Sequence, residues 1–173
     1  MSRGARIALV MAGYLGAAVC AWALTAAYIW ATAGPDRDTY QGMFAFGDTM
    51  VFLAAFAVVA TVPTGLVLYR LRRRRALWGW LAGVALLVAV TALLADASYI
   101  ADATPGAQPR FYDMGALAPL RILLAPLLAL YFVESGLFAP SRGPRAALLA
   151  AAIVEVLSFG YIVVVFFLPA LRA

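Results

Sequence analysis

Arg121 stands in the stretch "APLRILLAP" (118–126), one charge between two prolines in a run that stays apolar to Phe138 except for Glu134. Asp48, Asp96, Glu155 and Ser158 are further polar groups within or at the edge of apolar runs. An ionisable group in a membrane is costly, so it needs a partner or a part in moving ions or protons. Counting ~1.5 Å per residue from the cytoplasmic ends of the runs, Arg121 lies about 25 Å up its helix and Asp96 about 28 Å up another. Asp48 stands at the outer mouth of a third run, at a similar height. The three are expected to share one layer near the outer surface. A carboxylate in bidentate geometry there offsets the roughly 2.5–3.5 kcal/mol that a lone arginine costs at a helix centre. The layer reads as a structural ion pair, as an arginine that snorkels to the outer head groups, or as an outward-facing cavity in which Arg121 binds an anionic group.

Glu155 sits about 15 Å up the last run, near mid-membrane, with no basic residue expected at its depth. It reads as a carboxyl group hydrogen-bonded to a neighbouring helix, with Ser158 one turn later as a local partner, or as part of a proton or cation relay. Glu134 lies about 6 Å from the inner end of its run and is expected to form a surface ion pair with Arg142, Arg145 or the "RRRR" cluster.

Other chemistries are excluded by composition. The chain has no histidine, which removes histidine-ligated haem, histidine–metal sites and Ser-His or Cys-His dyads. Its one cysteine, Cys20, lies in an apolar run, can form neither an intrachain disulfide nor a CxxC pair, and reads as a small buried apolar side chain. The remaining acids are scattered, and no nucleophile–base pair stands at useful spacing. No catalytic residue, metal or cofactor is expected.

The elements that must position these groups are membrane helices. Of 173 residues, 66% are hydrophobic and 12% charged, with mean hydropathy +0.95. Soluble domains are about 45–50% apolar and about 25% charged. Five apolar runs stand out: Ile7 to Ala31, Thr49 to Leu71, Leu77 to Ser98, Ala116 to Phe138, and Ala146 to Leu168. Each is long enough for about 30 Å of hydrocarbon. Strict alternation over ten-residue stretches, the mark of a membrane β-barrel, is absent. The expected fold is an all-α integral membrane protein, a single domain of five transmembrane helices spanning 1–173.

Arginine placement sets the orientation. Arg3 and Arg6, then Arg70 and Arg72, Arg73, Arg74 and Arg75, then Arg142 and Arg145 fall on one side of a five-pass chain. The opposite loops are acidic or mixed, with Asp36, Arg37, Asp38 and Asp48 in one and Asp102, Arg110 and Asp113 in the other. The positive-inside rule then puts the N-terminus in the cytoplasm and the C-terminus outside. "RLRRRR" reads first as a topology anchor, although such a stretch also attracts anionic head groups. With the charge spent at span ends, the net +5 and pI near 9.8 do not point to nucleic acid. All thirteen basic residues are arginine, as in GC-rich bacterial genomes, so a bacterial inner membrane is expected. Ala31-Thr32-Ala33 has the form of a signal-cleavage site, but an apolar run of about 25 residues far exceeds a signal core of 7–15, so the first run reads as a retained span.

Asp48 and Asp113 are placed to cap the second and fourth spans, and Pro144 falls near the first turn of the fifth. Trp78 and Trp80 at the inner edge, and Tyr28, Trp30, Tyr99, Phe111 and Tyr112 at the outer, suggest interfacial belts. Gly79 with Gly83, and Gly13 with Ala17, have the four-residue spacing that lets helices approach closely. Pro63, Pro119 and Pro126 are expected to bend the second and fourth spans.

"GMFAFGDTMVFLAAFAVVATVPTGLVLYRLR" (42–72) and "PLRILLAPLLALYFVESGLFAPSR" (119–142) resemble signatures of small, uncharacterised multi-pass bacterial inner-membrane proteins. The resemblance implies no activity, only that the Gly-Asp entry to span two and the arginine of span four are family features. The function expected is that of a non-catalytic polytopic membrane protein. Its partners would be the lipid bilayer and either further copies in a homo-oligomer or another membrane protein. A small transporter or channel using Glu155 and the Asp48/Asp96/Arg121 layer is the alternative, and an intramembrane enzyme has least support.

Overall fold

The computed structural model describes residues 2–102 and 117–170, and every regular element among them is helical. The helices are α1 (Arg3–Ala31), α2 (Pro35–Thr39), α3 (Gln41–Leu71), α4 (Arg75–Asp102), α5 (Leu117–Phe138) and α6 (Arg142–Ala170). Four stretches are long and apolar enough to cross a membrane: Gly4–Ala31, Gln41–Leu71, Arg75–Ala97 and Arg142–Tyr161. Within α5 the purely apolar stretch is shorter, Leu124–Phe138. Asp113, Arg110, Phe111 and Tyr112 lie outside the described residues, as does the side chain of Tyr99.

The helices outrun the apolar runs because nothing in the flanking sequence stops them. α3 begins at Gln41, so Asp48 lies inside the helix and caps nothing. α6 begins at Arg142, one turn before the apolar run. Pro119 and Pro144 are each the third residue of a helix. A missing N–H has no intrahelical partner in a first turn, so Pro144 costs α6 nothing, while the stretch before Leu117 that bears on a bend at Pro119 lies outside the described residues. Pro63 and Pro126 do lie within helices.

The chain divides into two compact units, Met1–Arg70 and Leu71–Ala173. In the first, α1 meets α3 where Gly13 faces Pro63. A Cβ at Gly13 would stand 2.8 Å from Pro63 Cβ, closer than side chains pack. Beside it the Tyr14 and Thr64 hydroxyls hydrogen-bond at 2.8 Å, and Ala17 is fully buried. The small residues of α1 therefore serve the close approach their spacing suggested. Cys20 does not share it: it is exposed, one residue short of buried Ala21.

In the second unit α4, α5 and α6 pack on one another. Their buried residues recur at alternating steps of three and four: Trp78, Ala82, Ala85, Ala89 and Ala92 on α4, and Ala125, Ala129, Phe132, Gly136 and Ala139 on α5. Leu148, Ala151, Ala152, Glu155 and Ser158 continue the pattern on α6. Alanine seams let helix axes come close, and packing takes the place of a hydrophobic driving force that lipid does not supply. Gly136 is such a contact: a Cβ there would be 3.1 Å from Leu149 Cδ2.

Two expectations fail on α4. Trp78 is fully buried and donates its indole N–H to the Leu71 carbonyl at 3.3 Å, so it is a core residue and not part of a belt. Trp80 and, on α1, Trp30 stay exposed, at 78% and 83%. Gly79 and Gly83 have nothing within 4 Å of where a Cβ would stand among the described residues, so they meet no other helix of their own unit there. The 3–4 seam through Trp78 and Ala82 takes the packed face, and the two glycines fall off it.

Candidate functional site

The polar groups of Leu71–Ala173 meet on these seams. Arg121 stands one turn before Ala125 on α5, Asp96 one turn after Ala92 on α4, and Glu155 and Ser158 occupy seam positions on α6. The spacing that selects alanine for close packing thus carries the charged groups into the same interface.

Arg121 makes four hydrogen bonds within the unit. Its Nη1 and Nη2 donate to Glu155 Oε2 and Oε1 at 2.8 and 2.5 Å, a bidentate fork. Nη2 also donates to the Val88 carbonyl at 2.9 Å, and Nε to Thr91 Oγ1 at 2.9 Å. The Thr91 hydroxyl in turn donates to Val88 O at 2.6 Å. One guanidinium therefore ties α5 to α6 through a carboxylate and to α4 through a hydroxyl and a carbonyl. The Glu155 side chain is fully buried and that of Arg121 is 15% exposed. Ser158 donates to Asp96 Oδ1 at 2.9 Å, a second link between α6 and α4.

This arrangement differs from the sequence-based pairing within Leu71–Ala173: Arg121 takes Glu155 and Asp96 takes Ser158 instead of each other. Asp48 pairs with Arg37 inside Met1–Arg70. The error lies in the depths. Because α6 starts at Arg142, Glu155 stands about 20 Å along its helix, not 15 Å, while Arg121 stands about 26 Å from the end of α5. A long arginine side chain covers the remainder. Ser158, expected to serve Glu155, is free to bond Asp96 because the guanidinium already occupies both Glu155 oxygens.

Glu134 is buried, only 8% exposed, so it does not lie at the surface as expected. It neighbours Ser135 and Gly136, where α5 lies against Leu148 and Leu149 of α6, and that close approach covers it. Arg145 donates to the Ala139 carbonyl at 2.9 Å, closing the end of α5.

The unit Met1–Arg70 has its own polar cluster. Arg37 on α2 pairs through Nη2 with Asp48 Oδ2, donates from Nη1 to Thr32 Oγ1 at 2.6 Å, and places its guanidinium carbon 5.0 Å from the centre of the Phe44 ring. Thr32 also bonds back to the Tyr28 carbonyl at 2.8 Å. One arginine thereby joins the end of α1, the short α2 and the start of α3. The other Asp48 oxygen, Oδ1, is buried without a hydrogen-bond partner among the described residues.

Chemically, a guanidinium has five N–H donors, and Arg121 spends its donors on the protein itself. The Thr91 hydroxyl accepts from Arg121 and donates to Val88 O, so both of its described bonds serve the protein itself. Among the described residues no three histidine, cysteine, aspartate or glutamate side chains converge as metal ligands. The geometry is that of a fastening between three helices. No protein-family model matches the chain, and no curated protein or solved structure matches it.

Proposed function

We propose that the chain is a non-catalytic multi-pass membrane protein that acts through oligomerisation or membrane partners, with α4–α6 as a fixed scaffold. The observation that carries this reading is the tie of Arg121 to Glu155, Thr91 and Val88, which engages all three of its side-chain nitrogens among the described residues. A relay or an anion site would have to use Glu155 or Arg121, and the two hold each other in a bidentate pair with Glu155 fully buried.

Five spans, with the N-terminus in the cytoplasm and the C-terminus outside, belong to the same proposal, as does a bacterial inner membrane. The arginine distribution supports the orientation. α5 supports the fifth span: its 22 residues reach about 33 Å, and Glu155 neutralises the charge that lowers its hydropathy. Reporter fusions at the C-terminus and in the 72–75 turn test this; the expected result is an external C-terminus and a cytoplasmic turn.

The role is tested by affinity purification from the native membrane with mass spectrometry, beside proton- and ion-flux assays in proteoliposomes. A stoichiometric membrane partner or a stable homo-oligomer, without flux, is the expected outcome. Flux that Glu155→Gln abolishes in a folded protein overturns the reading in favour of a transporter.

A further inference from the structure

The densest positive charge in the chain stands at the mouth of a groove. Ala76, Gly79, Trp80, Gly83, Val84 and Leu87 line an open apolar hollow of about 620 Å³ along α4. Gly79 and Gly83 form its floor, with nothing within 4 Å of where a Cβ would stand, and Trp80 stands beside them, 78% exposed. From Ala76 to Leu87 the groove runs about 16 Å. That is close to half of the roughly 30 Å hydrocarbon core, the depth that one leaflet's acyl chains reach.

The arginines are held at one end of this groove. Arg75 begins α4 one turn before Gly79 and so lies on the same stripe, and Arg73 and Arg74 are exposed in the turn just before it. That turn is pinned. Arg74 N–H donates to Leu71 O at 2.9 Å and Leu77 N–H to Arg74 O at 3.1 Å, while the buried Trp78 indole bonds the same Leu71 carbonyl.

We propose that this groove binds one anionic phospholipid, with its phosphate at Arg73–Arg75 and an acyl chain along Ala76–Leu87. Charge selects this occupant. A second copy of α4 inserted with the same orientation would bring its own arginine turn against the first, and like charges would oppose it. A phosphate neutralises the turn, and a flexible chain fits a shallow apolar hollow. Near a membrane surface each arginine adds to the preference for an anionic lipid.

The test is native mass spectrometry of the purified full chain in neutral detergent, titrated with phosphatidylglycerol and phosphatidylcholine of matched chains. Retention of phosphatidylglycerol about tenfold or more above phosphatidylcholine is expected. The R73Q/R74Q/R75Q variant should lose that preference. G79L/G83L, whose new side chains enter open space, should stay folded and bind phosphatidylglycerol about tenfold more weakly, because buried methylenes are displaced. Equal retention of the two lipids overturns the proposal. So does undiminished binding by G79L/G83L, or binding of glycerophosphoglycerol as tight as that of the whole lipid. A dimer that G79L/G83L splits while lipid binding is unchanged assigns the groove to a second copy instead.

Discussion

Met1–Arg70 is fastened by Arg37–Asp48 and Leu71–Ala173 by Arg121–Glu155, and the two pairs are built differently. Arg37 and Asp48 are eleven residues apart, with side chains 16% and 19% exposed. Arg121 and Glu155 are thirty-four apart, and Glu155 is wholly buried. The first pair closes a local turn and leaves one carboxylate oxygen without a partner. The second exists only when three helices have packed, and both of its carboxylate oxygens are bonded. Sequence separation and saturation together decide which pair is a local clasp and which holds the fold.

The largest expected effect follows from removing one half of the buried pair. Glu155→Gln removes the carboxylate that Arg121 pairs with in this structure, at about 3–5 kcal/mol of stability. Arg121→Gln strands the Glu155 carboxylate and should cost a similar amount. The double variant R121Q/E155Q removes both charges and should recover most of the loss. Unfolding midpoints in detergent, read as a double-mutant cycle, check this. Additive single effects would show that the pair is not the fastening its geometry suggests.

The next effect contrasts glycines in the two units. Gly13→Ala drives a Cβ into the Pro63 ring, which has no flexible end to yield, and should cost about 1–3 kcal/mol. Gly83→Ala meets open space and should be neutral or slightly stabilising. The same unfolding measurement ranks them, and equal effects would mean that close approach of α1 and α3 matters little.

These contrasts mark what was legible in the sequence. Helix positions followed from apolar length, and the Gly13/Ala17 spacing located a real contact. Gly79/Gly83 has the same spacing and meets no other helix of its own unit, so spacing alone does not select a face. The deciding signal was the longer alternation of three and four through Trp78, Ala82, Ala85, Ala89 and Ala92, which an alanine-rich composition hides. It also carried the polar pairing, because Asp96 and Arg121 continue the seams of α4 and α5. Depth counting failed because it assumed that helices end where apolar runs end. A shift of one turn at Arg142 was enough to move Glu155 within reach of Arg121.

A smaller effect is expected at the clasp of Met1–Arg70. Arg37→Gln loses the ion pair and the contact with Phe44, at about 1 kcal/mol or less, because water reaches both side chains. Cysteine accessibility across 32–41 should rise in this variant while the global midpoint moves little. A loss as large as that of Glu155→Gln would erase the distinction between clasp and fastening.

The smallest effect is expected at Ser158→Ala, which removes the neutral donor to Asp96. Side-chain hydrogen bonds between membrane helices average about 0.6 kcal/mol, because the separated helices also find partners. Ser158 lies one turn from Glu155 on the same seam, so its loss tests whether the two links between α4 and α6 act independently. If they do, S158A combined with E155Q costs the sum of the two. If the Arg121 fork positions α6 for the Ser158 bond, S158A costs nothing once Glu155 is gone, since the serine would no longer face Asp96. The second result would place the whole polar layer under the control of one guanidinium, which its four bonds to two neighbouring helices favour.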